Sequence, residues 1–312
     1  MLSTKEANMT LRELLGRYEI LHGLKARTVE LIGQTLDRLQ DFLQREPTID
    51  DLDDMTVAQF ARWRATTPHR GRIVAPATVR KDLAHLTSVW NHAARKRMRR
   101  SDGELLEFPS LPRGLVKVPQ KTPVGYQIEE IGRMLEAAAN RRKCIGPMPG
   151  QVFWPTLILA AWETGARIGS LLGARWEDVS PTAVYFRPEA YKGGVKSLTR
   201  PISPDLSAGL EPHRQAAAEL VWPWLEYRRA KNSIFQALRM ICHEADVTPR
   251  GFHAIRKAAG SYVAAAGGES AAQQFLAHEN ARTTRAHYLD PSIVKERSGL
   301  EFLPQIPKPK PK

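Results

Sequence analysis

Apolar residues recur at helical spacing along most of the chain, and the breaks between these runs mark out its elements. Thr10 and Glu13 form a capping-box pair ahead of Leu11, Leu14, Leu15, Tyr18 and Leu21, which predict a first helix. Thr28 is placed to cap a second, whose stripe is Ile32, Leu36, Leu39 and Leu43 and which ends near Pro47. Thr56 and Gln59 repeat the capping pattern before Phe60 and Trp63, giving a shorter third helix. After a basic loop from Pro68 to Ala75, Pro76 opens a fourth helix through Val79, Leu83, Leu86, Val89 and Trp90. With no strand pattern among them, residues 1–115 read as a small four-helix domain.

Between Ser101 and Pro123 the periodicity is lost, and Pro109, Pro112, Pro119 and Pro123 predict an extended linker with the domain boundary at 116–124. Helical spacing returns from Gln127 to Ala139. After a Gly/Pro-rich turn at 146–150 it returns again from Phe153 to Trp162, a run so apolar that a buried helix is expected. Thr164-Gly165 breaks that helix before Arg167, and Ile168, Leu171 and Leu172 resume it. Strand patterns are confined to Ala183–Arg187 and Leu198–Ile202 about the Gly193-Gly194 turn, a hairpin or three-stranded sheet. Ile234, Leu238 and Ile241 predict another helix, and HAIRKAAGSYV a further one after Pro249–Gly251. Gln273 to Pro291 then reads as two short helices, with Phe275 and Leu276 as inward anchors, a break at Glu279-Asn280, and Thr283-Thr284 as the cap of the second. The expected fold class is mainly α with a small antiparallel β-sheet: the helical domain, an α+β domain over 125–290, and a tail over 291–312.

Composition adds a partner to this outline. The 312 residues suffice for two cores, and 46 Lys+Arg against 33 Asp+Glu leave a net charge of +13 that both halves share. Such an excess points to a polyanion gripped by both halves, nucleic acid foremost. Cys144 and Cys242 form no disulfide framework and have no zinc-type spacing, so a reducing, cytoplasmic setting without structural metal is expected. The first residues lack a hydrophobic signal core, and no apolar run approaches the roughly 20 residues of a membrane span. Asp50, Asp51, Asp53 and Asp54 precede a helix, where carboxylates serve as caps and dipole partners rather than as a metal site.

The candidate chemistry is dispersed. Arg167, between two apolar helices, is either a buried ion-pair partner or a clamp for an anion. His253 and Arg256 are three apart and share a helix face. His278 precedes Tyr288 by ten residues, and Arg282, Arg285 and His287 surround that tyrosine in sequence, a cationic setting suited to phosphate. Taken singly, each is ordinary, since a tyrosine on an amphipathic helix is usually a packing residue. The loop residues Arg70 and Arg72, and the run Arg95, Lys96, Arg97, Arg99, Arg100, suit phosphate contacts that read no sequence. Lys192 and Lys196 flank the hairpin turn.

In chain order these residues form a set: TGARIGSLLGARWEDV with Arg167, the hairpin lysine, HAIR with His253 and Arg256, LAH with His278, and HYLDP with Tyr288. The set resembles the tyrosine recombinase (phage integrase) family over roughly 125–290, and the four-helix segment resembles that family's core-binding domain. Ser170 stands where an acidic residue is common, Ala277 where glycine is usual, and the hairpin is about one residue longer. The resemblance implies site-specific strand cleavage and rejoining through a 3′-phosphotyrosine. Arg167 and Arg256 would fork the phosphate, His278 would add a hydrogen bond, Tyr288 would attack, and His253 would assist its proton transfer. Lys192, in preference to Lys196, would protonate the leaving 5′-oxygen. It further implies no cofactor, a duplex DNA partner held in a C-shaped clamp, a tetramer in the synapse coupled by the tail, and room for accessory DNA-bending or directionality proteins. A type IB topoisomerase shares this chemistry, and a DNA-binding protein that does not cut DNA shares the clamp. A metal-dependent nuclease is disfavoured, because no carboxylate triad is present.

Overall fold

Stripes of apolar residues become helices wherever a cap and a break bound them, and in the computed structural model they gather into two compact units, residues 1–120 and 121–312. The structure describes residues 9–69, 71–112, 114–190, 197–216, 219–227 and 233–294. The fold is mainly α with one small antiparallel sheet.

The first unit packs α1 (Leu11–His22), α2 (Ala26–Leu43), α3 (Asp54–Thr66) and α4 (Pro76–Arg95) around Leu14, Leu36, Leu39, Phe60, Leu86, Val89 and Trp90. The Thr10/Glu13 box is formed as expected. Two other caps are corrected. Gly23 ends α1 in the left-handed region, so the chain turns straight into α2 after Lys25, and Thr28 lies inside the first turn with its N–H on the Lys25 carbonyl. The cap of α3 is Asp53, whose carboxylate accepts from the Thr56 N–H at 2.9 Å; an ionised oxygen there outcompetes a hydroxyl three residues on. The neighbouring carboxylates also hold the backbone or an arginine: Asp51 pairs with Arg45, Asp50 accepts from the Ser101 N–H, and Asp54 from the Ser110 N–H. These last two contacts belong to a further correction. The segment after Ser101 is extended, yet up to Val116 it is packed rather than free. Leu106 is buried in the four-helix core, Leu111 and Val116 rest against it, and Trp90 Nε1 donates to the Glu107 carbonyl at 2.6 Å. Proline removes helical periodicity from such a stretch without removing its apolar side chains.

Inside the same unit Asp82 is fully buried and accepts from Arg64 Nε at 3.1 Å and Thr35 Oγ1 at 3.2 Å. A buried charge is tolerable only with such partners.

The second unit contains α5 (Ile128–Ala139), α6 (Gly150–Thr164), α7 (Ile168–Leu171), β1 (Ala183–Phe186), β2 (Leu198–Pro201), α8 (Pro204–Leu210), α9 (Trp224–Tyr227), α10 (Ser233–Glu244), α11 (Phe252–Leu276) and α12 (Ala281–His287). The all-round apolar α6 is buried through Phe153, Leu157, Ile158 and Ala161, with α5 and α11 against it. The two strands pair antiparallel, Ala183 opposite Pro201 and Phe186 opposite Leu198. The turn expected at Gly193-Gly194 lies outside the described residues. α11 is two helical segments joined at Gly268, whose φ of 82° breaks the helical path. The second segment is the first of the two short helices expected from Gln273 onward.

Of the expected tail, residues 291–294 are described, and they lie against the second unit. Ile293 packs against the core of its own unit, Ser292 donates to Asp290 Oδ1 at 2.7 Å, and Gln127 Nε2 donates to Ser292 Oγ at 3.1 Å. Among the described residues no helix is long and apolar enough to cross a membrane.

Candidate active site

The entry to α11 is fixed from outside the helix. The Tyr126 hydroxyl accepts from the N–H groups of Arg250 (2.6 Å) and Gly251 (3.0 Å), while Arg250 Nη1 donates to both Glu130 carboxylate oxygens at 2.8 and 2.9 Å. This directs His253 and Arg256 to one side. Small residues then let the following turn approach: a Cβ on Gly260 would lie 2.8 Å from Leu276 Cδ1. Arg256 is thereby enclosed between two helix ends. It is 2% exposed, donating from Nη2 to the Leu276 carbonyl at 2.7 Å and from Nη1 to the Gly165 carbonyl at the end of α6. Carbonyls at helix C-termini carry partial negative charge, so they hold a guanidinium well.

Gly165 adopts φ 57°, and a Cβ there would lie 2.6 Å from the Phe275 ring. The left-handed turn puts Arg167 at the cap of α7, half-buried, with its carbonyl accepting from the Ser170 N–H at 2.8 Å. Ser170, in place of an acidic residue, is itself buried.

His278 follows Ala277, which occupies the left-handed region (φ 49°) usually left to glycine. The turn is closed by the His278 N–H on the Gln273 carbonyl (3.1 Å) and by Gln273 Nε2 on the His278 carbonyl (3.0 Å). The imidazole meets Arg256 Nη2 at 3.1 Å through Nε2, and Thr284 Oγ1 at 2.9 Å through Nδ1. Here the sequence expectation is corrected: α12 is capped by Asn280, whose Oδ1 accepts from the Arg282 N–H at 2.8 Å, and Thr284 is turned inward, fully buried.

Tyr288 ends α12 and is 7% exposed. Its ring centroid lies 4.3 Å from that of His278 and 5.0 Å from that of His253, both edge-on, with the Arg256 guanidinium carbon 5.4 Å away over the ring. Ser261 Oγ lies 3.1 Å from the Tyr288 carbonyl and accepts from the Asp290 N–H at 2.8 Å; Asp290 in turn accepts from the Gly125 N–H at 2.7 Å. The cations adjacent in sequence are not the ones around the tyrosine. Arg282, Arg285 and His287 are exposed, and Arg285 pairs with Glu269. A residue near the end of a helix points away from its immediate neighbours, so the charge comes from Arg256 and the turns it joins.

The electrostatics agree with the geometry. Lost hydration pushes the His278 imidazole down to about 4, helped by the charges of Arg256, Arg167 and His253. His253 keeps an open edge to solvent, yet lies against Tyr288 and is also pushed down to about 4, first by desolvation and then by Lys257, Arg256 and Arg167. Burial likewise lowers Lys257, opposed by Asp290. Two neutral imidazoles beside fixed positive charge make a site ready for an anion.

The phage integrase family model matches residues 127–293, more than half the chain and the whole of this cluster. The chain belongs to the phage integrase family. Solved structures of this family's fold align with most of it. A lambda integrase dimer bound to a COC′ core site is 15% identical with a TM-score of 0.65, over 93% of this chain and 98% of that one. The Tn1549 transposon integrase in complex with transposon right end DNA is 14% identical with a TM-score of 0.65, over 93% and 96%. XerH recombinase bound to a palindromic difH substrate is 13% identical with a TM-score of 0.62, over 86% and 76%. No curated protein matches the chain in sequence. As a phage integrase family member the chain is a site-specific recombinase of the tyrosine class.

Of the other residues expected to serve this integrase, Arg72, Arg95, Lys96, Arg97 and Arg99 are exposed on the first unit. Arg100 is half-buried, with Nη2 on the Leu52 carbonyl at 3.0 Å, and Arg99 Nη1 donates to the Gly103 carbonyl at 2.6 Å, so both also brace the turn after α4. Arg70, Lys192 and Lys196 lie outside the described residues. Sequence reasoning missed Thr284, Ser261, Lys257 and Arg200, which donates to the Gln274 carbonyl at 2.9 Å. Thr284 was detectable: it lies four residues before Tyr288, on the face that the tyrosine buries.

Proposed function

We propose that this recombinase cuts and rejoins duplex DNA at specific sites through a 3′-phosphotyrosine on Tyr288. The observation that carries the reading is the convergence on Tyr288 of two neutral imidazoles and the Arg256 guanidinium, His253 and Arg256 from the start of α11 and His278 from the turn after its end. Breaking a phosphodiester needs negative charge neutralised on the pentacoordinate transition state, and Arg256 with Arg167 supplies two permanent cations for the non-bridging oxygens. His278 donates a further hydrogen bond to the phosphate. His253, neutral at pH 7, accepts the phenolic proton as the Tyr288 oxygen attacks phosphorus. The leaving 5′-oxygen is protonated by Lys192, with Lys196 as a phosphate contact, and the freed 5′-hydroxyl of a second strand attacks the phosphotyrosine to exchange strands.

The first unit serves as the core-binding domain, gripping backbone phosphates through Arg70, Arg72 and the basic run 95–100. Lambda integrase has been solved as a tetramer bound to a Holliday junction, and the same assembly is proposed for this chain, coupled by the residues after Val294. The test is a nicked suicide duplex carrying candidate sites, incubated in EDTA. A covalent protein–DNA adduct is expected, and Tyr288→Phe is expected to abolish it at nearly unchanged DNA affinity. Adduct formation by Tyr288→Phe, or adduct formation that requires a divalent metal, would overturn the reading.

A further inference from the structure

The hydrogen bonds about His278 fix which ring nitrogen carries its proton. An arginine donates and never accepts, so Nε2, 3.1 Å from Arg256 Nη2, must present its lone pair. In the neutral ring the proton is then on Nδ1, and Nδ1–H donates to Thr284 Oγ1 at 2.9 Å. The proposed reaction needs the opposite at Nε2, which must carry a hydrogen to donate to a phosphate oxygen. The same phosphate is a better acceptor for the Arg256 fork than a ring nitrogen is, so its arrival removes the donor that holds Nε2 unprotonated.

We infer that Thr284 is a positioning residue for the strand-cleavage reaction: its hydroxyl holds the His278 ring in place and lets Nε2 change from acceptor of Arg256 to donor toward the scissile phosphate. The inference rests on the function proposed above. A hydroxyl both accepts and donates, so Nδ1 keeps its partner in every state. With Nε2 unprotonated, Nδ1–H donates to Oγ1. If the ring changes tautomer, Nδ1 gives up one proton, Nε2 gains one, and Oγ1–H donates back to Nδ1. If the ring instead takes up one proton from solvent, Nδ1–H keeps its bond to Oγ1 while Nε2–H faces the phosphate. Neither route leaves a nitrogen unpaired. Thr284 is held in place for this: it is fully buried on α12, its carbonyl accepts from the Tyr288 N–H at 2.9 Å, and the opposite side of the turn is tied through Gln273. The hydroxyl thus links the nucleophile's helix to the phosphate-facing ring.

The full-length protein tests this in two ways. Thr284→Val keeps the shape of the side chain and removes the hydroxyl, while Thr284→Ser keeps the hydroxyl. On a nicked suicide duplex, Thr284→Val is expected to cleave roughly ten- to a hundredfold more slowly at unchanged DNA affinity, with Thr284→Ser close to wild type. In a His278→Ala background, Thr284→Val is expected to have no further effect, because it acts only through that ring. Nitrogen-15 shifts of the His278 imidazole are expected to show an unprotonated Nε2 in free protein and a protonated Nε2 in Tyr288→Phe protein bound to the same duplex. Wild-type cleavage by Thr284→Val, an equally slow Thr284→Ser, an added loss in the His278→Ala background, or an Nε2 that stays unprotonated on DNA would each overturn the inference. These results are separable from the Tyr288 adduct: a wild-type rate in Thr284→Val alongside a normal Tyr288 adduct removes the role of Thr284 alone.

Discussion

Gly165→Ala is a one-methyl change that should damage the site without touching any reactive side chain. The added Cβ meets two obstacles. At φ 57° an L-residue carries the left-handed penalty, roughly 1–2 kcal/mol, partly offset by about 0.4–1 kcal/mol from a less flexible unfolded chain. The methyl would also stand 2.6 Å from the Phe275 ring, an overpacking that costs about 1–3 kcal/mol. Arg200 donates to the Gln274 and Phe275 carbonyls, which limits how far that ring's backbone yields. The net loss is therefore about 1–5 kcal/mol, centred on ~3, measurable by urea unfolding followed through tryptophan fluorescence. Function should fall further, because the Gly165 carbonyl is one of the acceptors that orient Arg256. Phe275→Leu in the same chain should recover the overpacking part and leave the backbone part. A Gly165→Ala protein within 0.5 kcal/mol of wild type that cleaves suicide substrate at the wild-type rate would refute this account of how Arg256 is positioned.

Ala277→Gly removes the same left-handed penalty, and it should stabilise the protein by about 0.5–1 kcal/mol in urea unfolding with cleavage retained. Asp82→Ala leaves the buried Arg64 without its carboxylate, so a loss of about 3–5 kcal/mol is expected in thermal unfolding of the first unit. His253 and His278 have folded values below the ordinary imidazole value, so the unfolded chain binds more protons at mildly acid pH. Their contribution to stability is complete above about pH 6.5 and is lost as pH falls toward 4. Replacing both by Gln should flatten the dependence of unfolding free energy on pH across that window, and an unchanged slope would refute it.

Much of the fold was legible because apolar spacing survives in a single sequence. The stripes of α2, α4, α5 and α10 became buried faces, the Thr164-Gly165 signal bounded α6, and the two strand patterns paired antiparallel. What failed was local choice between competing groups. Thr28, Thr56 and Thr283-Thr284 all fit a capping pattern, but Gly23, Asp53 and Asn280 decided where those helices begin. The proline-rich segment after Ser101 lost periodicity while keeping Leu106 and Val116 for the core. At the site, the order of Arg167, His253, Arg256, His278 and Tyr288 was readable, whereas the identity of the charges facing Tyr288 was not. Sequence neighbours suggested Arg282 and Arg285, but contact is set by turns that close across α6, α11 and α12. The tautomer of His278 was likewise invisible, since it depends on Thr284 and Arg256 meeting opposite edges of one ring.

The central claim is the identity of the nucleophile, and peptide mapping of the covalent adduct tests it most directly. Tyr262 is the described alternative, but its hydroxyl already accepts from the Ile128 N–H at 3.0 Å. After exhaustive nuclease and trypsin digestion, the residual nucleotide is expected on the peptide Ala286–Lys295, attached through its 3′-phosphate to Tyr288. A nucleotide found on the peptide containing Tyr262 or Tyr191, or one attached through a 5′-phosphate, would contradict the account.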